Sequence, residues 1–328
     1  MRIEHFDLVL DRNLDTPYVG GDIVKGEITI HATRPVKVAG LHVRLFGLAE
    51  TGWYNKNTDV VFESRETVLD EPIDLTVEIF EHCNPEYELH DGLHKISFET
   101  HLPLDVVSSV EREGFGSVRY TCSAILHLPE DGGSEFISEK TFKVWSLLNL
   151  DAPYLRESTS VTEEEELHGC CGSSKGMLMA TMQVAEIGLL PGETTRLTLT
   201  LENRTKPKRW RKRDSNKECV LVSLCQQIDF VARNRYESHL SDRRSITIAV
   251  ETHGTCKAAP GKGPQTKVID FTIPSDLPPT SIQAISTDVL DKANGLVTCS
   301  YFFKLDLEHF DVVVPVILGS RKTPGPID

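Results

Sequence analysis

Apolar and polar residues alternate at every second position through most of this chain, the period of strands with one face in a core and the other in water. Phe6, Leu8 and Leu10 open the pattern, Ile28 and Ile30 resume it after Gly20-Gly21, and Val36, Val38, Leu41, Val43 and Leu45 carry it on. Ile96 and Phe98 follow, ended by Leu102-Pro103 because proline cannot donate to a continuing ladder. Val118, Tyr120, Cys122 and Ala124 form the next strand, and Lys140 to Trp145 closes the first half. Thr51 to Asn57 reads as a loop, and Asp70 to Tyr87 resists assignment because acids break its alternation. No amphipathic pattern of helical length occurs, so almost no helix is expected.

The pattern is written twice. Gly21-Asp22 returns as Gly192-Glu193, Val43-Arg44-Leu45 as Val222-Ser223-Leu224, and Ile96-Ser97-Phe98 as Ile269-Asp270-Phe271. Leu102-Pro103 returns as Leu277-Pro278 and Cys122-Ser123 as Cys299-Ser300. The five pairs keep their order, with offsets of 171, 179, 173, 175 and 177 residues, a drift that loop insertions explain. The expected fold is all-β: two tandem antiparallel β-sandwiches of immunoglobulin-like build. Residues 1–150 form the first, 175–319 the second, and 320–328 a short tail. Between them, 151–174 breaks in composition, with Ala152-Pro153, Ser158-Thr159-Ser160 and Glu163 to Glu166, and reads as a linker.

A chain of 328 residues holds two domains of ordinary size. Its N-terminus mixes charges without a signal-peptide core, and no stretch approaches the roughly 18 apolar residues of a membrane span. Eight cysteines then read as reduced thiols, several of them (Cys122, Cys219, Cys225, Cys299) in apolar strand patterns. The location expected is the cytoplasm. A net charge of -14 disfavours nucleic acid as a partner. The chain shows no His-Glu-x-x-His, no paired Cys-x-x-Cys, no complete nucleophile elbow at Gly114 to Val118 and no Walker spacing before Gly261-Lys262. Neither an enzyme nor a cofactor or metal is expected.

The ordered landmarks resemble the arrestin superfamily, and more closely its α-arrestin branch. Tyr18-x-x-Gly-Asp-x-Val-x-Gly-Glu-Ile, Gly92-x-His-x-Ile-x-Phe-x-x-x-Leu-Pro and Val118-Arg119-Tyr120 are similar to the first arrestin domain. Cys170-Cys171-Gly172, Pro191-Gly192-Glu193, Leu277-Pro278-Pro279-Thr280 and Val-Pro-Val-Ile-Leu-Gly from Val314 resemble the second. The resemblance implies arrestin N- and C-domains acting as an adaptor or scaffold in membrane-protein trafficking, peripheral to the plasma membrane or endosomes, with membrane-protein cargo and trafficking machinery as partners. It leaves open a structural subunit of a coat or sorting complex, like the arrestin-fold component of retromer, and a redox-linked, thioredoxin-binding protein. Many α-arrestins carry Pro-Pro-x-Tyr motifs for ubiquitin ligases; here Asn84-Pro85-Glu86-Tyr87 and Pro278-Pro279-Thr280-Ser281 each miss by a residue. A ubiquitin ligase is therefore expected only through a partner.

Four stretches carry candidate chemistry. Leu147, Leu148, Leu150 and Asp151 fit a clathrin-box pattern, or are core leucines leaving a strand. Cys170 and Cys171 fit lipidation, or a family feature that starts the second domain. Cys256, beside Lys257, fits a redox contact or a plain exposed thiol. Arg204, Lys206, Lys208, Arg209, Trp210, Arg211, Lys212 and Arg213 place seven cations and a tryptophan in ten residues, which suits an anionic lipid surface or phosphate, a solvated loop, or a nuclear-import signal. Each cation near an anionic leaflet contributes about 1 kcal/mol. Replacing Arg209, Arg211, Lys212 and Arg213 by Ala should weaken binding to phosphoinositide liposomes, with the difference shrinking as salt rises; equal binding of both proteins would take the loop out of the mechanism.

Overall fold

Two-residue alternation becomes strand after strand in the computed structural model, which describes residues 2–129, 133–168, 174–205, 219–256, 261, 263–285, 295–307 and 309–323. The chain divides into two units: residues 1–147 with 230–244 and 294–297, and the remainder. Each is an antiparallel β-sandwich, so the predicted all-β class and tandem sandwiches are what the chain forms.

In the first unit one layer holds β1 (Ile3–Leu10), β2 (Ile23–Ala32) and, further along the chain, a strand at Gly92–His101. The other layer holds β3 (Gly40–Asn55) and β4 (Val60–Asp74). The Gly92–His101 strand is β5, and β6 (Gly116–His127) and β7 (Glu135–Phe142) complete the second layer in the order β7-β6-β3-β4. Leu8 and Ile28, partners in register, face inward with Ile30, Ile96 and Phe98 from the first layer. Leu41, Val43, Leu45, Tyr120, Cys122, Ala124 and Leu126 meet them from the second, all nearly or fully buried. Each large apolar side chain so enclosed contributes about 1.5–3 kcal/mol.

Gly47 lies opposite Tyr120, and a Cβ there would stand 2.5 Å from the tyrosine ring. Only glycine lets the ring lie across the neighbouring strand. The ring thereby brings its hydroxyl to Val107 O at 2.7 Å, which satisfies the one polar atom that the ring carries into the core.

The second unit repeats the plan. Its four-stranded layer is β8 (Thr159–His168), β9 (Ser174–Val184), β10 (Thr194–Asn203) and a strand at Gln265–Thr272. Between these in sequence run β11 (Cys219–Asn234) and β12 (Ser241–Cys256), which makes Gln265–Thr272 β13; β14 (Val297–Asp306) and β15 (Asp311–Leu318) follow. The hairpin Phe230–Arg244, made by the ends of β11 and β12, belongs to the first unit. Tyr301 on β14 repeats Tyr120: it is buried and donates its hydroxyl to Pro278 O at 2.7 Å. The four cysteines described in full (Cys83, Cys122, Cys225 and Cys299) are free thiols, three of them buried. No helix among the described residues is long and apolar enough to cross a membrane.

The paired landmarks Gly21-Asp22 and Gly192-Glu193 are one turn built twice. Gly21 and Gly192 sit at φ of 85° and 83°, the third position of a type II turn, where a Cβ would be strained. Asp22 N–H returns to Val19 O and Glu193 N–H to Leu190 O, while the acid side chains accept from Val19 N–H and Leu190 N–H, both at 3.0 Å. Each acid also meets one cation, Arg12 at 2.8 Å and Lys322 at 3.2 Å.

Four expectations are corrected. Thr51 to Asn57 is not a loop: β3 runs through it to Asn55, and Trp53 is buried. The unassigned stretch holds the end of β4 and a one-turn helix α1 (Thr76–Phe80), which inserts Ile79 into the core. The stretch expected as a linker holds β8 at Thr159–His168, which pairs along its whole length with β9. As an outermost strand β8 pairs with β9 alone among the described strands, and Glu163, Glu164 and Glu166 are exposed there, where a central strand would need apolar residues. Residues 320–323 are no loose tail, since Ser320 N–H donates to Leu148 O (2.9 Å) and Leu150 N–H to Arg321 O (2.9 Å).

That last contact also decides Leu147 to Asp151. Leu150 is fully buried, and the space it fills is left by two glycines: a Cβ at Gly319 would lie 2.4 Å from Leu150 Cγ, and one at Gly188 3.1 Å from Leu150 Cδ2. Leu147 and Leu148 are half-buried. A clathrin-type box needs an extended, accessible peptide, whereas Leu150 sits in the core as the alternative reading expects. Leu150→Ala should cost about 2–5 kcal/mol in urea unfolding, and Leu148→Ala distinctly less; equal, small losses at both positions would show that Leu150 is not an anchor.

Candidate functional site

Two hairpins of the first unit run side by side and end in exposed apolar residues. The first joins β3 to β4, and its tip is set by Asn55, whose Oδ1 accepts from Asn57 N–H at 3.0 Å, and by Asp59 at φ 55°. Asparagine and aspartate suit such a tip because their short side chains close the turn and tolerate positive φ. Tyr54 donates its hydroxyl to Asp59, whose carboxylate pushes the tyrosine pKa upward. The second joins β11 to β12, and Asn234 Oδ1 holds it by accepting from Tyr236 N–H (2.8 Å) and Glu237 N–H (3.2 Å).

Backbone and side chains clamp the hairpins together. Arg233 pairs with Glu63 and Asn234 with Phe62, Arg235 N–H donates to Val61 O at 3.1 Å, and Thr51 Oγ1 donates to Val231 O at 2.6 Å. Trp53 is the pivot of the clamp. It is 7% exposed, stacks on Phe62 with ring centres 6.5 Å apart, and donates Nε1–H to Asp242 Oδ2 at 2.9 Å. The Arg244 guanidinium lies 5.2 Å from its ring centre, within cation–π range. Near the tips of the two hairpins Tyr54 (49%), Tyr236 (85%) and Leu240 (45%) stay exposed.

Beside the hairpins lies a cleft of about 880 Å³ walled by Glu50, Glu63, Glu111, Glu113, Arg65, Arg112, Arg119 and Arg235, with Phe115 at its side. Six of these eight charges are matched in pairs: Arg65 with Glu50 at 2.7 Å, Arg235 with Glu63 at 3.1 Å, and Arg119 with Glu111. The bond to Glu111 raises the Arg119 pKa further, so that cation stays charged. Among the described residues no three His, Cys, Asp or Glu side chains converge as metal ligands. The arrangement supplies directional polar groups and apolar projections on a rigid base, the composition of a surface that holds a polypeptide.

The candidates singled out from the sequence lie elsewhere. Arg204, just past the end of β10, is tied to Glu202 by bonds of 2.8 and 2.9 Å, which raise its own pKa and lower that of Glu202. Lys206, Lys208, Arg209, Trp210, Arg211, Lys212 and Arg213 lie outside the described residues, as do Cys170, Cys171 and the side chain of Cys256. The hairpin surface is hidden in the sequence, where Trp53 and Tyr54 read as loop residues. The available signal was the Asn and Asp residues at each tip flanked by alternating strands.

Comparison with known proteins adds the family. A model of the N-terminal domain of arrestin (or S-antigen) matches residues 6–151, and one of the C-terminal domain matches residues 174–322. Arrestin domain-containing protein 17 of Caenorhabditis elegans is 23% identical over 337 residues, covering 98% of this chain and 71% of that protein. Arrestin domain-containing protein 15 of the same organism is 26% identical over 237 residues, 71% of this chain and 58% of that protein. Arrestin domain-containing protein 4 of Homo sapiens is 23% identical over 208 residues, 62% of this chain and 49% of that protein. The chain thus spans between about half and 71% of the length of these relatives.

If Trp53 is the pivot, Asp242→Ala should cost about 1–3 kcal/mol by leaving a buried N–H without its acceptor. In a Trp53→Phe background, which has no such donor, most of that cost should vanish. A double-mutant cycle in urea measures the coupling, and strict additivity would refute it.

Proposed function

The chain belongs to the arrestin superfamily, in its α-arrestin branch, and from that premise we propose that it is a non-enzymatic cytosolic adaptor that brings membrane-protein cargo to trafficking machinery. The single observation that carries this reading is the pair of hairpins, clamped by the buried Trp53, that leave Tyr54, Tyr236 and Leu240 exposed near their tips. Exposed aromatic and apolar side chains on a rigid base lose little entropy when covered, which is how a few residues come to dominate an interface. The matched charges of the neighbouring cleft supply a polar rim that steers and orients a partner more than it adds affinity. Free thiols at Cys83, Cys122, Cys225 and Cys299 agree with a reducing compartment.

A second surface supports peptide capture. β5 is the outermost strand of its layer, with β2 on one side only. Its wet face is guarded by Lys95, bonded to Glu27 at 2.6 Å, and by Glu99, 3.3 Å from Lys25. Charges of this kind discourage indiscriminate pairing while leaving backbone groups for a cargo tail that adds as a strand.

The full chain, expressed in cells with a proximity label, should tag a defined set of transmembrane proteins. The triple variant Tyr54→Ala, Tyr236→Ala, Leu240→Ala should lose most of that set, a drop of at least about tenfold for hot-spot residues, with an unchanged unfolding midpoint. An identical set for both proteins would remove the hairpin surface from cargo binding, and the absence of any transmembrane protein would remove the adaptor role.

A further inference from the structure

The segment from Ser320 to Thr323, within the second unit, is tied down residue by residue, most densely at its end. Arg321 forms a parallel bridge with Asn149, and the Lys322 ammonium, in a side chain only 14% exposed, meets Glu186 at 2.6 Å and Glu193 at 3.2 Å. At Thr323 the N–H donates to Asp151 Oδ1 and the hydroxyl to Asp151 Oδ2, each at 2.7 Å. The Thr323 carbonyl accepts from Arg156 Nη2 at 2.7 Å, and the same Nη2 lies 3.1 Å from Asp151 Oδ1. One carboxylate and one guanidinium thus close the clamp around a single threonine.

Thr323 is exposed and is followed in the sequence by Pro324, after the cations Arg321 and Lys322. The chain has one other Thr-Pro pair, Thr16-Pro17, and no Ser-Pro. We propose that Thr323 is a phosphorylation site for a proline-directed protein kinase, and that its phosphate opens the clamp and frees residues 320–323 from Asp151. In the transfer, a bond forms between Thr323 Oγ1 and the γ-phosphorus of a nucleoside triphosphate. The bond from that phosphorus to the β,γ-bridging oxygen breaks, its electron pair leaving with the nucleoside diphosphate, and the hydroxyl proton passes through the kinase's base to solvent.

The clamp cannot hold a phosphothreonine, for three reasons. The hydroxyl that donates to Asp151 Oδ2 becomes a phosphate ester with no proton to give. A charge of about -1.5 to -2 then stands against a carboxylate, an arrangement that disrupts by like-charge repulsion and desolvation. In the unmodified clamp the Thr323 hydroxyl and N–H hold the Asp151 pKa down at about 2, so it is an ionised carboxylate that the incoming phosphate meets. Arg156 gives limited relief, as its one guanidinium already serves both Asp151 and the Thr323 carbonyl. Access for the kinase comes from local opening at the exposed Thr323, which needs less free energy than global unfolding.

The proposal is independent of the hairpin surface and of the adaptor reading. To test it, the full chain is incubated with a proline-directed kinase and ATP, the modified residue is mapped by mass spectrometry, and amide exchange is followed at Leu148 and Leu150, whose N–H groups are bound by Ser320 Oγ and Arg321 O. Phosphate on Thr323 and exchange at least about tenfold faster at both amides are expected. Asp151→Asn, which removes the repelling charge, should show a markedly smaller acceleration on phosphorylation. Phosphate on Thr16 alone or on neither threonine, unchanged exchange in the phosphorylated chain, or the same acceleration in Asp151→Asn would each overturn the proposal.

Discussion

Both sandwiches depend on an acid that closes a turn on itself. At Asp22 and at Glu193 the backbone reverses through a glycine at positive φ, and the acid side chain accepts the N–H three residues earlier. The reversal leaves Gly21 N–H and Gly192 N–H facing the opposite chain, where Leu102 O and Ile273 O accept them; Leu102 N–H and Ile273 N–H return to Asp22 O and Glu193 O. Each turn therefore docks to the end of the strand that pairs with its own sheet, at the position where Leu102-Pro103 or Pro274 stops the ladder. A half-buried carboxylate in such a place is favoured by a cation nearby, and Arg12 and Lys322 supply it. The cation comes from nearby sequence in the first unit and from the far end of the chain in the second. The second turn thus helps to anchor the segment that Thr323 ends.

The same economy shapes the interiors. Tyr120 and Tyr301 each carry a hydroxyl into an apolar core and each spend it on a carbonyl of the preceding loop, Val107 or Pro278. These bonds orient large rings that fill the centre of each layer, and the ring of Tyr120 rests over Gly47 because nothing larger fits there. A rigid centre of this kind lets the strand ends project beyond the sandwich without fraying. The hairpins with Trp53 at their base are such projections: their clamp is a tryptophan bonded to one neighbour and stacked on another, and their tips are held by asparagine side chains instead of core contacts.

Much of this was legible in the residues themselves. Period-two patterning with repeated Gly-acid and Leu-Pro landmarks is local information, since side-chain alternation and turn chemistry are dictated by backbone geometry within a few residues. It gave the all-β class, the duplication and the inward positions such as Ile96, Phe98, Tyr120 and Cys122, and the ordered set of motifs led to the family. Pairing partners were decided only by the tertiary structure, because they join residues far apart in sequence. Glu163 to Glu166 look like a solvated connector until β8 is seen as an outermost strand whose one partner is β9. Leu150 looks like part of a peptide motif until Gly188 and Gly319 are found leaving room for it. Trp53 reads as a loop residue until Asp242, 189 positions away, accepts its N–H, and Thr323 reads as tail until Asp151 and Arg156 close around it.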